Sequence, residues 1–202
     1  DAELTRLHQR TPLVHAEAGM ENIAGGIALT VDLQGTGAPG DGGGLIGYKA
    51  RPHSPLIDID KVGYYDPADF WEPIYAGTGS DSGLVLNPDD FYILASREAV
   101  SVPPDHAAEM VAYDTLVGEF RVHYAGFFDP GFGYDPEQPG GSKAVLEVRS
   151  HDVPFMLEHE QIIGWLRYER LTDVPDRLYG QGIGSNYQGQ ALKLSKQFKP
   201  VT

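Results

Sequence analysis

Short runs of apolar residues, many of them alternating with polar ones, recur along most of this chain. They lie at Ile27–Leu33, Leu45–Tyr48, Leu56–Ile59, Leu84–Leu86, Phe91–Ser96, Glu109–Tyr113, Phe120–Ala125, Ala144–Arg149, Phe155–Leu157 and Ile162–Arg170. Gly, Pro and Asp residues separate them, which is typical of β-strands joined by tight turns. The pattern predicts an all-β body of the sandwich, jelly-roll or barrel type.

Two short helices are predicted beside these strands. The chain begins with a polar segment, residues 1–9, in which Leu4 and Leu7 are spaced as on one face of a helix. Further on, Asp66 is placed to cap a one-turn helix and Pro67 to occupy its first position. The 25 Gly and 15 Pro residues, about a fifth of the 202 residues, disfavour longer helices.

Composition limits the classes of function. A chain of 202 residues, 41% of them hydrophobic, can bury the core of one domain. The net charge of -14 disfavours a nucleic-acid surface, which needs a basic stripe, but an acidic chain can still bind a small anion locally. We find no apolar run of about 18 residues and no signal segment, so we expect no membrane span and a cytoplasmic location.

Several common chemistries are not supported by the residues present. The absence of Cys excludes disulfides, thiolate zinc sites and the cysteine-ligated zinc nucleobase deaminases. The seven His residues are scattered, and no G-x-S-x-G segment marks a hydrolase serine. A G-x-G-x-x-G match at residues 35–40 precedes Asp41-Gly-Gly-Gly rather than a helix, so it predicts a flexible loop and not a dinucleotide site.

Two features leave a functional and a plain structural interpretation open. In the predicted strand at 144–149, three apolar residues share one face and Glu147 lies on the other. This carboxylate is either a solvated strand residue or a positioned acid and base at an interface. The Gly-rich segment at residues 179–190 is either a tail without fixed structure or an arm that folds over a ligand.

A resemblance to a known family favours the functional interpretation of both features. Ala125-Gly-Phe-Phe-Asp-Pro-Gly-Phe resembles the A-G-F-I-D-P-G-F hairpin of dCTP deaminases, which belong to the deaminase/dUTPase superfamily. Leu146-Glu-Val resembles the strand that carries the family's glutamate, and Tyr187-Gln-Gly-Gln resembles its closing Y-Q-G-Q. Weaker matches at residues 28–33 and 86–105 keep the family order.

The resemblance implies an architecture and a reaction. The architecture is a dUTPase-like distorted β-barrel or jelly roll (β-clip) with a few short helices. The implied assembly is a homo-oligomer, either a trimer or a pseudo-trimer of domain copies, with active sites at the interfaces. The implied reaction is hydrolysis of dCTP to dUTP and ammonia, with Mg²⁺ accompanying the deoxynucleoside triphosphate and no catalytic zinc.

The same resemblance implies a set of site residues. Glu147 is implied as the proton shuttle that activates water against C4 of cytosine. The remaining residues are implied to bind the pyrimidine edge, the sugar or the triphosphate. The backbone of His123, Tyr124 and Ala125 is implied to read the pyrimidine edge, and Asp129 is implied to lie close to the sugar. The arm residues Tyr179, Tyr187 and Gln190 are implied to close over the sugar and the triphosphate.

One family motif is missing from this chain. The phosphate-binding S-S-x-G-R segment should precede the hairpin, but residues 112–118 read Ala-Tyr-Asp-Thr-Leu-Val-Gly, with Leu116 at the arginine position. The connection from the hairpin to Glu147 is also longer, by residues 133–141. Some family members carry two copies of the fold in tandem, and this chain resembles the second copy. We therefore expect a fragment of a longer protein, whose other copy supplies the missing motif to a shared site.

Two alternatives stay open at this point. One is a non-catalytic copy of the fold that only holds an assembly together. The other is a dUTPase-like diphosphohydrolase in which Asp129 orients the attacking water. In each case the expected division of the chain is a helical linker at 1–25, a β domain at 26–178 and a Gly-rich arm at 179–202.

Overall fold

The computed structural model describes residues 2–15, 22–35, 44–77, 83–112, 120–122, 126–150, 152–180 and 192–200. Within these ranges the chain forms one α-helix, a one-turn 3-10 helix at Pro67–Asp69 and twelve β-strands. They are α1 (Ala2–Arg10), β1 (Val14–His15), β2 (Ile27–Thr30), β3 (Leu45–Ala50), β4 (Trp71–Tyr75), β5 (Leu84–Leu86), β6 (Phe91–Val100), β7 (His106–Ala112), β8 (Phe120–Val122), β9 (Phe127–Phe128), β10 (Ser142–Ser150), β11 (Phe155–Leu157) and β12 (Ile162–Arg170). The predicted all-β class is confirmed.

The strands form two large antiparallel sheets and one small one. The first sheet has the order β4-β3-β6-β10-β8, with β1 also paired to β6. The second has the order β2-β12-β7-β9, and β11 pairs with β5. The sheets built by the described strands remain open and do not close into a barrel, so the molecule has the sandwich-like form of the expected architecture.

The main core lies between the two large sheets. Leu94 and Leu146 reach it from the first sheet, Leu29 and Leu166 from the second, and all four side chains are completely buried. Burying a leucine stabilises a fold by roughly 1.5–3 kcal/mol relative to leaving it exposed. Helix α1 packs onto the same core through Leu7. Because side chains alternate along a strand, the burial of Leu146 turns the next residue of β10 to the outside.

A second apolar cluster covers the outer face of the first sheet. Its buried members come from strands β3 and β6, from the 3-10 turn and from the segment at 192–200. They are Tyr48, Ile93, Phe70, Leu194 and Phe198. The backbone N–H of Lys199 donates to the Tyr65 carbonyl over 2.9 Å, which ties the end of the chain to this face.

Strand β6 connects the two large sheets. Its pairing with β10 is irregular, since Lys143 lies opposite Ala99 but Val145 lies opposite Ala95. Three residues of β6 therefore face a single residue of β10. At this irregularity the Asp32 backbone N–H, just after β2, donates to the Ala95 carbonyl over 3.0 Å. The first sheet is thus hydrogen-bonded to the second through β6.

Two local predictions have clear outcomes, and one strand was not predicted. The Asp66 carboxylate accepts a hydrogen bond from the Ala68 N–H over 3.0 Å and caps the one-turn helix, as predicted. The strand predicted at Leu56–Ile59 is wrong, because this apolar run is exposed and pairs with none of the described strands. Strand β4 was not predicted, since Pro73 interrupts its apolar pattern. It lies at the edge of the described sheet, where a proline removes no ladder hydrogen bond.

Candidate active site

A pocket of about 430 Å³ lies between β10 of the first sheet and β7 and β9 of the second. Three of the predicted site residues, Asp129, Glu147 and Tyr179, line it together. The other lining residues are Met110, Gly126, Phe127, Phe128, Phe132, Lys143 and Val145. The fold therefore brings into one cavity a hairpin, a strand and the first residue of the predicted arm, which are separated in the sequence.

Glu147 enters this pocket because of the alternation along β10. Leu146 and Val148 are buried in the core, so the Glu147 side chain points to the opposite face and is exposed. Directly across the sheet, Glu147 pairs with Ile93 of β6, an apolar residue of the outer cluster. The carboxylate thus stands beside an apolar surface and can be reached from the open side of the pocket.

Asp129 follows the two-residue strand β9. Its carbonyl accepts a hydrogen bond from the Phe132 N–H over 3.0 Å, which closes a tight turn, and its side chain is exposed. Gly131 in this turn has a φ of +95°, and a Cβ there would lie 2.8 Å from the Leu178 Cβ. The turn therefore admits only glycine at the point where the segment 178–179 crosses it.

Aromatic rings form one side of the pocket. The Tyr179 backbone N–H donates to the Pro130 carbonyl over 2.8 Å, and the Tyr179 ring centroid lies 5.5 Å from that of Phe132. Phe132 in turn meets Phe128 edge to face, with centroids 5.0 Å apart. Aromatic rings offer a surface on which a nucleobase can pack.

Lys143 is the described cation of the pocket lining and was missed from the sequence. Its Nζ lies 2.6 Å from Oδ2 of Asp32. The other carboxylate oxygen of Asp32 accepts from the backbone N–H groups of Gln34 and Gly35. Burial raises the pKa of the Asp32 carboxyl, but the hydrogen bonds from Lys143, Gly35 and Gln34 outweigh it, so that the pKa is lowered. Lys143 lies four residues before Glu147 on β10, an even spacing that places both side chains on one face of the strand.

The long connection at 133–141 begins and ends at the same place. A Cβ on Gly133 would lie 2.7 Å from the Ser142 N, so the two ends of the connection are in contact. The Ser101 Oγ donates to the Gly133 carbonyl over 2.8 Å, and His15 Nε2 lies 3.0 Å from the same Oγ. The extra residues therefore leave the start of β10 where a short turn would place it.

The remaining predicted residues lie outside the described parts of the chain. These are His123, Tyr124, Ala125, Tyr187 and Gln190, together with Leu116 of the altered motif. Their roles stay predictions, as do those of Asp129, Glu147 and Tyr179. Met110 was also missed, because nothing in its local pattern relates it to β10.

Two features are absent from the described ranges. They contain no group of three or more His, Asp or Glu side chains arranged to hold a metal ion. None of their helices has the length and apolar character needed to cross a membrane.

Comparison with a solved structure first assigns the fold to a class. The structure of 2'-deoxycytidine 5'-triphosphate deaminase from Agrobacterium tumefaciens aligns with a TM-score of 0.76 and 53% sequence identity. The alignment covers 87% of this chain and 50% of that one, so this chain spans about half the length of the Agrobacterium protein. The fold is that of a dCTP deaminase.

Sequence comparisons then give the family. The family model described as 2'-deoxycytidine 5'-triphosphate deaminase (DCD), C-terminal domain, matches residues 1–198. The chain is 32% identical over 141 residues, 67% of its length, to a protein of Beutenbergia cavernae named dCTP deaminase, dUMP-forming, and covers 69% of it. A protein of the same name from Halobacterium salinarum is 36% identical over 111 residues, 53% of this chain and 52% of that protein. The chain belongs to the dCTP deaminase family, and its match is to the C-terminal domain.

Proposed function

We propose that this chain takes part in the hydrolytic deamination of dCTP to dUTP and ammonia. One observation carries the proposal: Glu147 lines the same pocket as Asp129 and Tyr179, beside a wall of aromatic rings. A carboxylate in an apolar, partly enclosed site can exchange protons with a bound water and a bound base. The names of the relatives and the family model support the same substrate.

Glu147 is the group that moves protons in this proposal. It accepts a proton from a water molecule, whose oxygen forms a bond to C4 of cytosine. That proton then passes to the amino group on C4, the C4–N bond breaks to release ammonia, and the remaining proton of the water ends on N3 of the ring. The oxygen stays on C4 as the carbonyl of uracil, so water and dCTP give dUTP and ammonia. General acid and base catalysis of this kind contributes about 10²–10⁴-fold to a rate.

The other residues position the substrate. Asp129 contacts the sugar in this proposal, and Tyr179 closes the pocket beside it. The backbone of His123, Tyr124 and Ala125 reads the pyrimidine edge, while Tyr187 and Gln190 hold the sugar and triphosphate. Hydrogen bonds from backbone groups suit base recognition, because a folded hairpin holds them in a fixed direction.

A second copy of the fold completes the site in this proposal. Lys143 is paired with Asp32, so the described lining offers little positive charge to a triphosphate. The S-S-x-G-R segment of another copy supplies the missing donors, in a homotrimer or a pseudo-trimer of domain copies. Mg²⁺ enters as part of the substrate, bound to the triphosphate, and the reaction takes place in the cytoplasm.

A second candidate is a dUMP-forming reaction, in which the triphosphate is hydrolysed as well. Two observations favour it: the curated relatives carry that name, and Asp129, the residue implied to orient water in dUTPases, shares the pocket with Glu147. The two candidates share their first step and differ in whether pyrophosphate is released.

The test uses the complete protein in which this chain occurs, with Glu147→Gln as the variant. Ammonia and pyrophosphate release are followed with dCTP and with dUTP. We expect Glu147→Gln to lower ammonia release at least about 100-fold, because it removes the proton acceptor but keeps the size of the side chain. Glu169→Gln, an exposed strand carboxylate outside the pocket, serves as the matched control.

The outcomes separate the candidates. Ammonia without pyrophosphate supports the deaminase, and both products together support the dUMP-forming reaction. Full deaminase activity in Glu147→Gln would rule out the assigned role. No product from either substrate would favour the non-catalytic copy of the fold.

A further inference from the structure

A second cavity, which the proposed chemistry does not use, lies between β3, the segment at 62–63 and the segment at 192–200. Its volume is about 530 Å³, and small-molecule sites usually measure about 300–1,000 Å³. It shares no lining residue with the candidate active site. We call it the C-terminal cavity. Its apolar and aromatic lining residues are Tyr48, Val62, Leu192, Leu194, Phe198 and Pro200.

Three of the six lysines of the chain line this cavity. These cavity lysines are Lys193, Lys196 and Lys199. None of them forms an ion pair with a carboxylate in the described part of the chain, and the cavity lining contains no Asp or Glu. The other three lysines each lie within 3.9 Å of an aspartate oxygen. In a chain with a net charge of -14, a cavity lined only by unpaired cations and neutral residues favours an anionic ligand.

The Tyr48 hydroxyl adds a hydrogen-bond donor to the cavity wall. Tyr48 is only 4% exposed, and its hydroxyl makes no hydrogen bond within the described residues. Burial, together with the neighbouring Tyr75, raises the pKa of this hydroxyl above its ordinary value of 10.0. The hydroxyl therefore keeps its proton at neutral pH and can donate it to an oxygen of a ligand.

Hydrogen bonds hold the walls of the cavity in a defined shape. The Gly63 N–H donates to the Lys196 carbonyl over 2.9 Å, which joins the segment at 62–63 to the C-terminal segment. The Phe198 N–H donates to the Ser195 carbonyl over 3.1 Å and closes a tight turn that contains Lys196. The cavity is therefore formed before any ligand enters it.

The lining suits a molecule with two chemically different ends. The rings of Tyr48 and Phe198 offer a surface for a planar aromatic body. Lysine ammonium groups bind phosphate as point charges. A phosphate group carries a charge of about -1.5 to -2 at pH 7, so three unpaired lysines suit it better than they suit a singly charged carboxylate.

We propose that the C-terminal cavity binds a small aromatic phosphate. The aromatic body lies against Tyr48 and Phe198, and the phosphate lies among the cavity lysines. This proposal concerns binding only. It does not depend on the proposed reaction, because the two pockets have no residue in common.

Isothermal titration calorimetry tests the proposal on the complete protein in which this chain occurs. The probe is 1-naphthyl phosphate, and it is compared with 1-naphthol, which lacks the charge, and with inorganic phosphate, which lacks the ring. The variant Lys196→Gln/Lys199→Gln removes two exposed cavity lysines. The control Arg6→Gln/Arg170→Gln removes the same charge at two exposed positions outside the cavity.

A second variant places a negative charge in the cavity itself. Val62→Asp does so at a cavity residue that is 66% exposed, so the change does not disturb the core. Val174→Asp is its matched control, since Val174 is 51% exposed and lies outside the cavity. Circular dichroism confirms that each variant is folded.

We expect 1-naphthyl phosphate to bind at least about tenfold more tightly than either comparison molecule, because only it uses both ends of the cavity. Each cavity variant should weaken its binding at least about tenfold, each control should match the parent, and sodium chloride should weaken the binding by screening. Failure of 1-naphthyl phosphate to bind would overturn the proposal. Equal binding by a cavity variant and its control, or by 1-naphthol and the phosphate, would do the same.

Discussion

Two lysine–aspartate ion pairs in this protein have the same length but different surroundings. Lys143 with Asp32 and Lys49 with Asp90 each show a nitrogen–oxygen distance of 2.6 Å. The Asp32 side chain is only 12% exposed, whereas that of Asp90 is 28% exposed. A carboxylate withdrawn from water depends more strongly on its partner, so the two pairs should differ in their contribution to stability.

We predict that Lys143→Met lowers the free energy of unfolding by about 1–3 kcal/mol, because it leaves the charge of Asp32 without its side-chain partner. Lys49→Met should cost less than about 1 kcal/mol, since water can solvate Asp90 in place of the lysine. Urea unfolding at neutral pH measures both values. Equal losses in the two variants would show that burial does not distinguish the pairs.

The same pair has a pH dependence of known sign. The pKa of Asp32 in the folded protein lies below its ordinary value of 3.8. Its contribution to stability is therefore present above pH 3.8 and is lost as the pH falls through the lower, folded-state pKa. The difference between the parent and Lys143→Met should shrink when unfolding is repeated at about pH 3.

At the residue scale, the sequence was sufficient to predict which face of a strand a side chain occupies, wherever apolar and polar residues alternate regularly. Glu147 was placed on the outer face of its strand from the burial of its apolar neighbours, and it lies there. Lys143 follows the same rule, so its position on the outer face could have been predicted by the same argument. Its contact with Asp32 could not be predicted, because a contact between residues 111 positions apart depends on how the sheets meet.

At the element scale, the irregular pairing of β6 with β10 depends on one buried hydroxyl. The Ser96 Oγ donates to the Glu98 carbonyl over 2.6 Å and accepts from the Ala144 N–H over 2.8 Å. Ser96 is completely buried, so water cannot replace it as a partner for these backbone groups. The hydroxyl thus satisfies the groups that the irregularity leaves without ladder partners.

We predict that Ser96→Ala lowers the free energy of unfolding by about 1–3 kcal/mol, because the Ala144 N–H and the Glu98 carbonyl become unpaired in the interior. Ser54→Ala is the matched control, since the Ser54 hydroxyl also donates to a backbone carbonyl, that of Arg51, but is exposed. The control should change stability by less than about 0.5 kcal/mol. Chemical denaturation of both variants decides the point, and a neutral Ser96→Ala would contradict the assignment.

Strands were predicted correctly where apolar residues face the core. The prediction failed for an exposed apolar run and for an edge strand. Strands β10 and β12 were predicted from their alternation, which the core between the sheets requires. The run Leu56–Ile59 has a strand-like composition, yet no described strand lies beside it. Strand β4 is the opposite case: a proline at its centre disfavours a strand, yet the segment pairs with β3. Pairing is a property of two segments, so the composition of one does not decide it.

At the scale of the whole molecule, the net charge of -14 acts on stability. Like charges repel more strongly in the compact state than in the extended chain, and salt screens this repulsion. We predict that the melting temperature rises when sodium chloride is increased from about 20 to about 150 mM. Calorimetry measures the shift, with sucrose of equal osmolality as the uncharged control. A melting temperature that falls or stays constant in salt would show that self-repulsion is unimportant.

The family and the architecture could be predicted for the whole chain because several motifs occur in the same order as in dCTP deaminases. The pocket could be predicted only in part. Its hairpin and strand residues belong to those motifs, but Met110 reaches it through the packing of one sheet on the other. Whatever a second copy adds to the site cannot be read from one chain, because the contact is between molecules.

The contact between the two ends of the connection at 133–141 has a practical consequence. Gly133 meets Ser142, so everything between them forms a closed excursion on the surface. Loop closure costs little more free energy as such an excursion lengthens, about 0.6 kcal/mol for each doubling. A fluorescent label or a short peptide tag placed near Gln138 would therefore leave Glu147 in position. The protein thus carries a natural insertion point in an exposed connection that does not line the candidate active site.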